Sequence, residues 1–511
     1  MLARKLETPY PIVLVVAGLV LSFIPGTPRV ELQPEFVFLV ILPPLLYSAA
    51  WQTSWRDFRY NLVSIAMLAF GLVAFTVIGV AFLAHWIVPG MDWRVGLLLG
   101  AVVAPTDAIA ATSIAERVGL PRRLIDVLEG ESLLNDASGL LALEFAIGLM
   151  LNEKVPSVGE AAGRFVLLTV GGIVVGLVIG AVTYLIEKRI NDGPIEITIS
   201  FLVPYAAYLA AEAVHASGVL AVVACGLYLS RRSASFFSAA VRLQAWSVWG
   251  AVEFILNGLV FVLIGLQLPW VMRQLGNYSL TTLLLYGLSF SLLLILLRAC
   301  WVYPGAYVSN IIRRRLLGQP EPLPAPRMIF VVAWTGMRGV VSLAAAQSIP
   351  YTLSDGTPFP HRSLIIFLTF SVILVTLVLQ GLSLPPLIRK LGLVRFAGPD
   401  CEEKEARRIV IHAGLSHLEE SRARDGEEAA AVYDDLSSHY RQRLLEVDGQ
   451  SEDQPAGAVD LAMHRRLSAD LLRVERQTAV QLRDQGRISD GVLRKLEREL
   501  DLSEARLQLE S

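Results

Sequence analysis

Twelve predominantly apolar runs constrain this chain more than any other feature of its sequence. They lie near residues 10–25, 35–50, 61–88, 94–114, 125–151, 164–186, 195–213, 217–230, 246–268, 279–304, 327–350 and 362–388. The hydrocarbon core of a bilayer takes about 20 residues of helix to cross, so runs of this kind read as membrane spans. The expectation is an all-α membrane protein with about 12 transmembrane helices. Composition agrees: 54% of the 511 residues are hydrophobic, only 18% are charged, and mean hydropathy is +0.55. A soluble domain has nowhere to put so much apolar surface. With 44 Lys and Arg against 46 Asp and Glu, the overall balance gives no reason to expect a nucleic-acid partner.

The placement of charge is more informative than its total. Beyond about residue 400 the apolar runs stop and Leu, Ala, Glu and Arg dominate, which divides the chain into a membrane domain at 1–395 and a helical tail at 396–511. The tail is a solvated appendage or a regulatory module, and the second is preferred. Basic residues concentrate in alternate connections: Arg4 and Lys5, Arg56 and Arg59, Arg117 with Arg122 and Arg123, Lys188 and Arg189, Arg231, Arg232 and Arg242, Arg313 to Arg315 with Arg327, then Arg389, Lys390 and Arg395. The other connections hold only Arg29, Arg94, Lys154, Arg164, Arg273 and Arg362. This bias puts both termini in the cytoplasm of a multi-pass protein of the cell (inner) membrane. No small-residue cleavage site follows Arg4 and Lys5, so the first run is expected to remain as a span. Cys225, Cys300 and Cys401 show neither metal spacing nor a disulfide framework, and the histidines do not cluster.

Function must be sought in the polar residues inside the runs, because each is costly there and functional by default. The first group is Ala-Pro-Thr-Asp at 104–107, where Pro105 removes a donor and should interrupt the helix beside Thr106 and Asp107. Such breaks at membrane depth are how secondary transporters build ion sites. The second is Glu-Ser-Leu-Leu-Asn-Asp at 131–136. Ser132 and Asp136 share one helix face; Glu131 and Asn135 share the adjacent one. A carboxylate with a hydroxyl one turn away offers hard oxygen ligands to a sodium ion, or takes a proton instead, and that competition is antiport in chemical form. The third is basic: Arg298, and Arg338 flanked by Gly336 and Gly339. Buried charges need partners, and Glu131, Asp107 and Asp136 are available. Glu253 with Asn257 could line a funnel or tie parts of the bundle together. Gly172, Gly176 and Gly180 recur every fourth residue, as at close helix contacts.

Five motifs in order, LPPLLYSAAW at 42–51, APTDAIA at 104–110, GESLLNDASG at 130–139, SGVLAVVACGLYL at 217–229 and GMRGVVSLAAA at 336–346, resemble the monovalent cation:proton antiporters of the NhaP and sodium/proton exchanger type. The resemblance covers about residues 10–390. It implies an inverted-repeat fold with two crossing interrupted helices, the second around Arg338, and homodimers. It implies Asp136 as the cation and proton carrier beside Asn135, sodium held by Asp136, Ser132 and Thr106 with Asp107 close by, and a structural ion pair between Glu131 and Arg298. An Asn-Asp rather than Asp-Asp pair implies electroneutral exchange of one proton per cation. Ser48 departs from the pattern, since many relatives carry a carboxylate there. The expected function is exchange of Na⁺, with K⁺ or Li⁺ as alternatives, for H⁺ in pH homeostasis, without any cofactor besides the transported ions. A passive cation channel, or a membrane scaffold or enzyme with structural ion pairs, stays open as the rival. No nucleotide loop, haem motif, zinc signature or nucleophile elbow supports an enzyme.

Overall fold

Prolines, glycines and capping residues decide where the apolar runs become helix and where they stop. The structure, a computed structural model, describes residues 10–24, 33–151, 157–190, 192–237, 239–273, 275, 278–318, 323–393 and 401–425, with scattered positions between 433 and 502. It divides into two compact units, Met1–Phe396 and Ala397–Ser511. The first contains α1 (Tyr10–Ser22), α2 (Pro34–Gln52), α3 (Trp55–Ile87), α4 (Trp93–Val103), α5 (Ala108–Val118), α6 (Arg122–Leu151) and α7 (Val158–Glu187). It continues with α8 (Gly193–Ala213), α9 (Gly218–Phe236), α10 (Ala239–Arg273), α11 (Leu280–Leu316), α12 (Pro326–Trp334), α13 (Val340–Gln347) and α14 (Arg362–Lys390). The side chains of Ser54, Ser157, Asp192 and Ser279 each accept a backbone N–H from the first turn of the helix that follows. Caps of this kind contribute about 1 kcal/mol apiece. No strand occurs among the described residues; Thr352 and Pro358 form an isolated bridge. In the second unit, α15 (Cys401–Asp425) carries an exposed ion pair from Arg422 to Asp434 at 2.7 Å.

Helix occupies every one of the expected runs, but only eight helices among the described residues are long and apolar enough to cross a bilayer: α2, α3, α6, α7, α8, α10, α11 and α14. The difference from twelve has a physical origin. The runs at 94–114 and 327–350 are each split into two shorter pieces, α4 with α5 and α12 with α13. Helix α1 has only 13 residues, and the apolar stretch of α9 stops at Arg231 and Arg232, before the helix ends at Phe236. Large apolar side chains stay exposed along outward faces, such as Leu167, Val174 and Val178 on α7 and Leu284, Leu288 and Leu292 on α11. Such continuous exposed apolar surface suits lipid rather than water. By contrast, α14 is buried along most of its length, with Thr369, Thr376 and Gln380 fully enclosed, and it touches α5, α11 and α13.

Two local devices shape the bundle around its centre. In α3, a widened turn at Met67–Leu72 leaves carbonyls for side chains to take up, as π-bulges do. Ser138 donates to Ala69 O at 2.5 Å and Trp301 donates to Met67 O at 2.9 Å, so α3 is stitched to α6 and α11. Along α7, the spacing of Gly172 and Gly176 lets its backbone meet that of α9: a Cβ on either would collide with the carbonyl of Ser217 or Ala221. Gly176→Val should therefore destabilise by about 1–3 kcal/mol through overpacking. Gly148→Val, where a Cβ meets open space, is the control, and melting in detergent should drop for the first variant only.

Candidate functional site

Helix α4 ends at Val103 and α5 starts at Ala108; α12 ends at Trp334 and α13 starts at Val340. The two non-helical stretches meet. The Asp107 N–H donates to Met337 O at 2.9 Å, and Arg338 Nε donates to Val103 O at 2.7 Å while its Nη1 donates to Gly336 O. The Arg338 N–H donates to Thr376 Oγ1 on α14 at 3.2 Å. Backbone groups released by Pro105 and by the second break are thus satisfied by each other and by one guanidinium. Gly336 and Gly339 are required by this proximity. A Cβ at Gly339 would fall inside the Asp107 carboxylate, and one at Gly336 would press on the Arg298 side chain.

Helix α6 runs beside the first break. Gly139 admits the Pro105 ring, which a Cβ there would strike. Arg298 of α11 and Glu131, each 1% exposed, form a two-pronged pair, Nη1 to Oε1 at 2.5 Å and Nη2 to Oε2 at 2.9 Å. Arg298 Nε also donates to Val332 O at 3.1 Å, which fixes α12. Thr106 Oγ1 donates to Glu131 Oε1 at 3.0 Å and accepts from Asn135 Nδ2 at 2.6 Å. Ser132 Oγ accepts the N–H of Ala108 at 3.2 Å, so it supplies a partner to the first amide of α5. Asp136, 8% exposed, stands apart: its carboxylate makes no hydrogen bond among the described residues. Asn135 Oδ1 is likewise buried without a partner.

Asp136 opens on a cavity of about 130 Å³ that Thr106, Asp107, Ser132, Glu253 and Ser342 also line. With a water occupying roughly 30 Å³ of liquid, this space suits a few waters or a partly hydrated ion. The structure therefore gathers Thr106, Asp107, Glu131, Ser132, Asn135, Asp136, Arg298 and Arg338 into one neighbourhood. Two details differ from expectation. Arg338 makes no ion pair with a carboxylate among the described residues but binds backbone carbonyls, because the broken helices leave those acceptors closest. The Thr106 hydroxyl already serves Glu131 and Asn135, and its carbonyl accepts from Asn135 Nδ2 at 3.4 Å, which leaves the remaining lone pair of each oxygen as an ion ligand. Thr376 and Ser342 escaped the sequence reading, since a hydroxyl in an apolar run carries no signal of its own.

The Glu131–Arg298 pair makes a quantitative forecast. Removing one partner of a buried pair costs about 3–5 kcal/mol, because the other charge is stranded. Glu131→Ala and Arg298→Ala should each lower thermal stability more than the double neutral change does, so that the double variant loses less than the sum of the two single losses. A double-mutant cycle in detergent should accordingly show strong non-additivity; additive losses would mean that the two groups do not support each other.

Comparison with known proteins places the fold and the family. The family model described as the transmembrane sodium/hydrogen exchanger matches residues 1–390. A Mycobacterium bovis protein named an uncharacterized Na(+)/H(+) exchanger is 35% identical, covering 99% of this chain and 93% of its own. The sodium, potassium, lithium and rubidium/H(+) antiporter of Bacillus subtilis is 32% identical over 94% of this chain and 72% of that one. Among solved structures, the sodium proton antiporter MjNhaP1 of Methanocaldococcus jannaschii is similar in fold, with TM-score 0.60, 22% identity, and coverage of 77% of this chain and 95% of the other. Members of this family are transporters, not enzymes, and the chain belongs to the sodium/hydrogen exchanger family.

Proposed function

We propose that this protein exchanges Na⁺ for H⁺ across the cell (inner) membrane by letting the two ions compete for Asp136, one proton for each cation. The observation that carries the reading is the contrast between two neighbouring carboxylates. Glu131 is fully engaged by Arg298 and Thr106, whereas Asp136 faces the cavity with no hydrogen bond among the described residues. A carboxylate without fixed donors can exchange partners; one locked by a guanidinium cannot. Ser132, Thr106 and Asp107 line the same cavity and carry further oxygen atoms, and oxygen donors suit an alkali cation. Asn135 adds no charge beside Asp136, so a single carboxylate carries either ion. The names of the relatives support sodium, and the Bacillus protein's name keeps potassium and lithium as alternatives.

The membrane arrangement belongs to the same proposal. Twelve passes, counting each broken run as one, with both termini cytoplasmic follow from the alternation of basic loops. The two breaks are the crossing helices of an inverted repeat, the protein works as a homodimer, and the tail at 396–511 regulates it.

Proteoliposomes loaded with a pH dye test the chemistry. Asp136→Asn should fold and lose sodium-driven proton movement; exchange at the wild-type rate in a folded variant would overturn the role of Asp136. In the wild type, apparent cation affinity should fall about tenfold per pH unit below the pKa of the exchanging group, since each proton must leave before the cation binds. One-for-one exchange moves no net charge, so an imposed membrane potential should leave ion accumulation unchanged. Two protons per cation would instead be driven by about 2.3 kcal/mol per 100 mV.

A further inference from the structure

In the lining of the same cavity, Glu253 of α10 is held by two side chains of α2. Its Oε2 accepts from the Ser48 hydroxyl at 3.2 Å and from Gln52 Nε2 at 3.0 Å, and Gln52 also donates to Ser48 Oγ at 2.9 Å. These donors aim the carboxylate without neutralising it, and Oε1 has no hydrogen bond among the described residues. One turn further along α10, Asn257 is 3% exposed and its amide nitrogen has no partner among the described residues. Ser342 of α13 is 1% exposed, and its hydroxyl also has no partner among the described residues. Glu253, Asn257 and Ser342 all line the cavity that contains Asp136. Buried polar groups are ordinarily satisfied, so two orphans facing one cavity point to an occupant with polar chemistry. Rotation of the Asn257 amide presents its oxygen, and carboxylate, amide and hydroxyl oxygens together are a donor set for a hard cation.

We propose that Glu253 is a second cation-binding carboxylate, which holds the alkali cation with Asn257 and Ser342 within the cavity and passes it to Asp136. This rests on the reading of Asp136 as the exchanging group. It assigns Ser48 and Gln52 a positioning role. The carboxylate is supplied from α10 and steadied from α2, so the polar corner spans two helices rather than one.

Glu253→Gln separates ion binding from tethering, because glutamine keeps an oxygen that can accept from Ser48 and Gln52 while losing the charge. In proteoliposomes it should raise the half-maximal Na⁺ concentration roughly tenfold, which corresponds to about 1.4 kcal/mol of binding, with a smaller effect on the saturating rate. Ser48→Glu placed in that background returns a carboxylate to the same corner and should restore most of the affinity. A half-maximal concentration within twofold of wild type for Glu253→Gln, or no recovery in the double variant, would overturn the proposal. If Glu253→Gln does not yield folded protein, Gln52→Lys sets an ammonium against the carboxylate; it should weaken Na⁺ affinity similarly, and an unchanged affinity overturns the proposal equally. Asp136→Asn run in parallel keeps the two readings distinct. Its continued exchange would remove Asp136 as the exchanging group, while a shifted Na⁺ dependence in Glu253→Gln would still place the cation at Glu253.

Discussion

Stopping two helices inside an apolar bundle releases amides and carbonyls where water cannot serve them, and each one left unpaired costs on the order of several kcal/mol. The rest of the site depends on how these groups are satisfied. Arg338 reaches from the second break to Val103 O at the first, and the Asp107 amide returns a bond to Met337 O. Thr376, from the buried α14, takes the Arg338 amide. The breaks are therefore held against each other as well as against the bundle. Gly339 is the steric condition for this, since a side chain there would occupy the position of Asp107.

Around those two breaks, the charged groups divide into fixed and free. Arg298 bridges α6 and α12 through Glu131 and Val332 O, which sets α6 at a definite height beside Thr106. Thr106 transmits the same order to Asn135. Ser132 is tied to the start of α5. What remains without such ties is Asp136, one residue beyond Asn135. On the proposed mechanism this division is the working principle: a rigid polar frame presents one carboxylate whose partners can change. Proton and cation then exclude one another because a single group must serve both.

Much of this was legible in the sequence because membranes penalise polarity so strongly. Pro105 beside Asp107, the 132/136 spacing and an arginine within an apolar run are each conspicuous against leucine and valine. The motif resemblance added the pairing of Glu131 with Arg298, and the structure contains that bond. Four things were less legible. A buried hydroxyl such as Thr376 or Ser342 is cheap enough to occur anywhere, so its partner or lack of one is visible only in three dimensions. Arg338 was expected among carboxylates, whereas it serves carbonyls, because sequence does not reveal which acceptors a broken helix exposes. Glu253 was weakly marked, since its neighbours Ser48 and Gln52 lie about two hundred residues away in the chain. The number of full-length spans was also blurred, as interruption turns one long run into two short helices.

The central claim is that cation and proton replace each other on one carboxylate. The most direct measurement counts protons released when Na⁺ is added to the purified protein in weakly buffered detergent solution, alongside the heat or fluorescence change that reports binding. At a pH where the exchanging group is protonated, the account predicts one proton released per Na⁺ bound, and neither release nor binding for Asp136→Asn. Sodium binding without proton release, or undiminished release from Asp136→Asn, would contradict it.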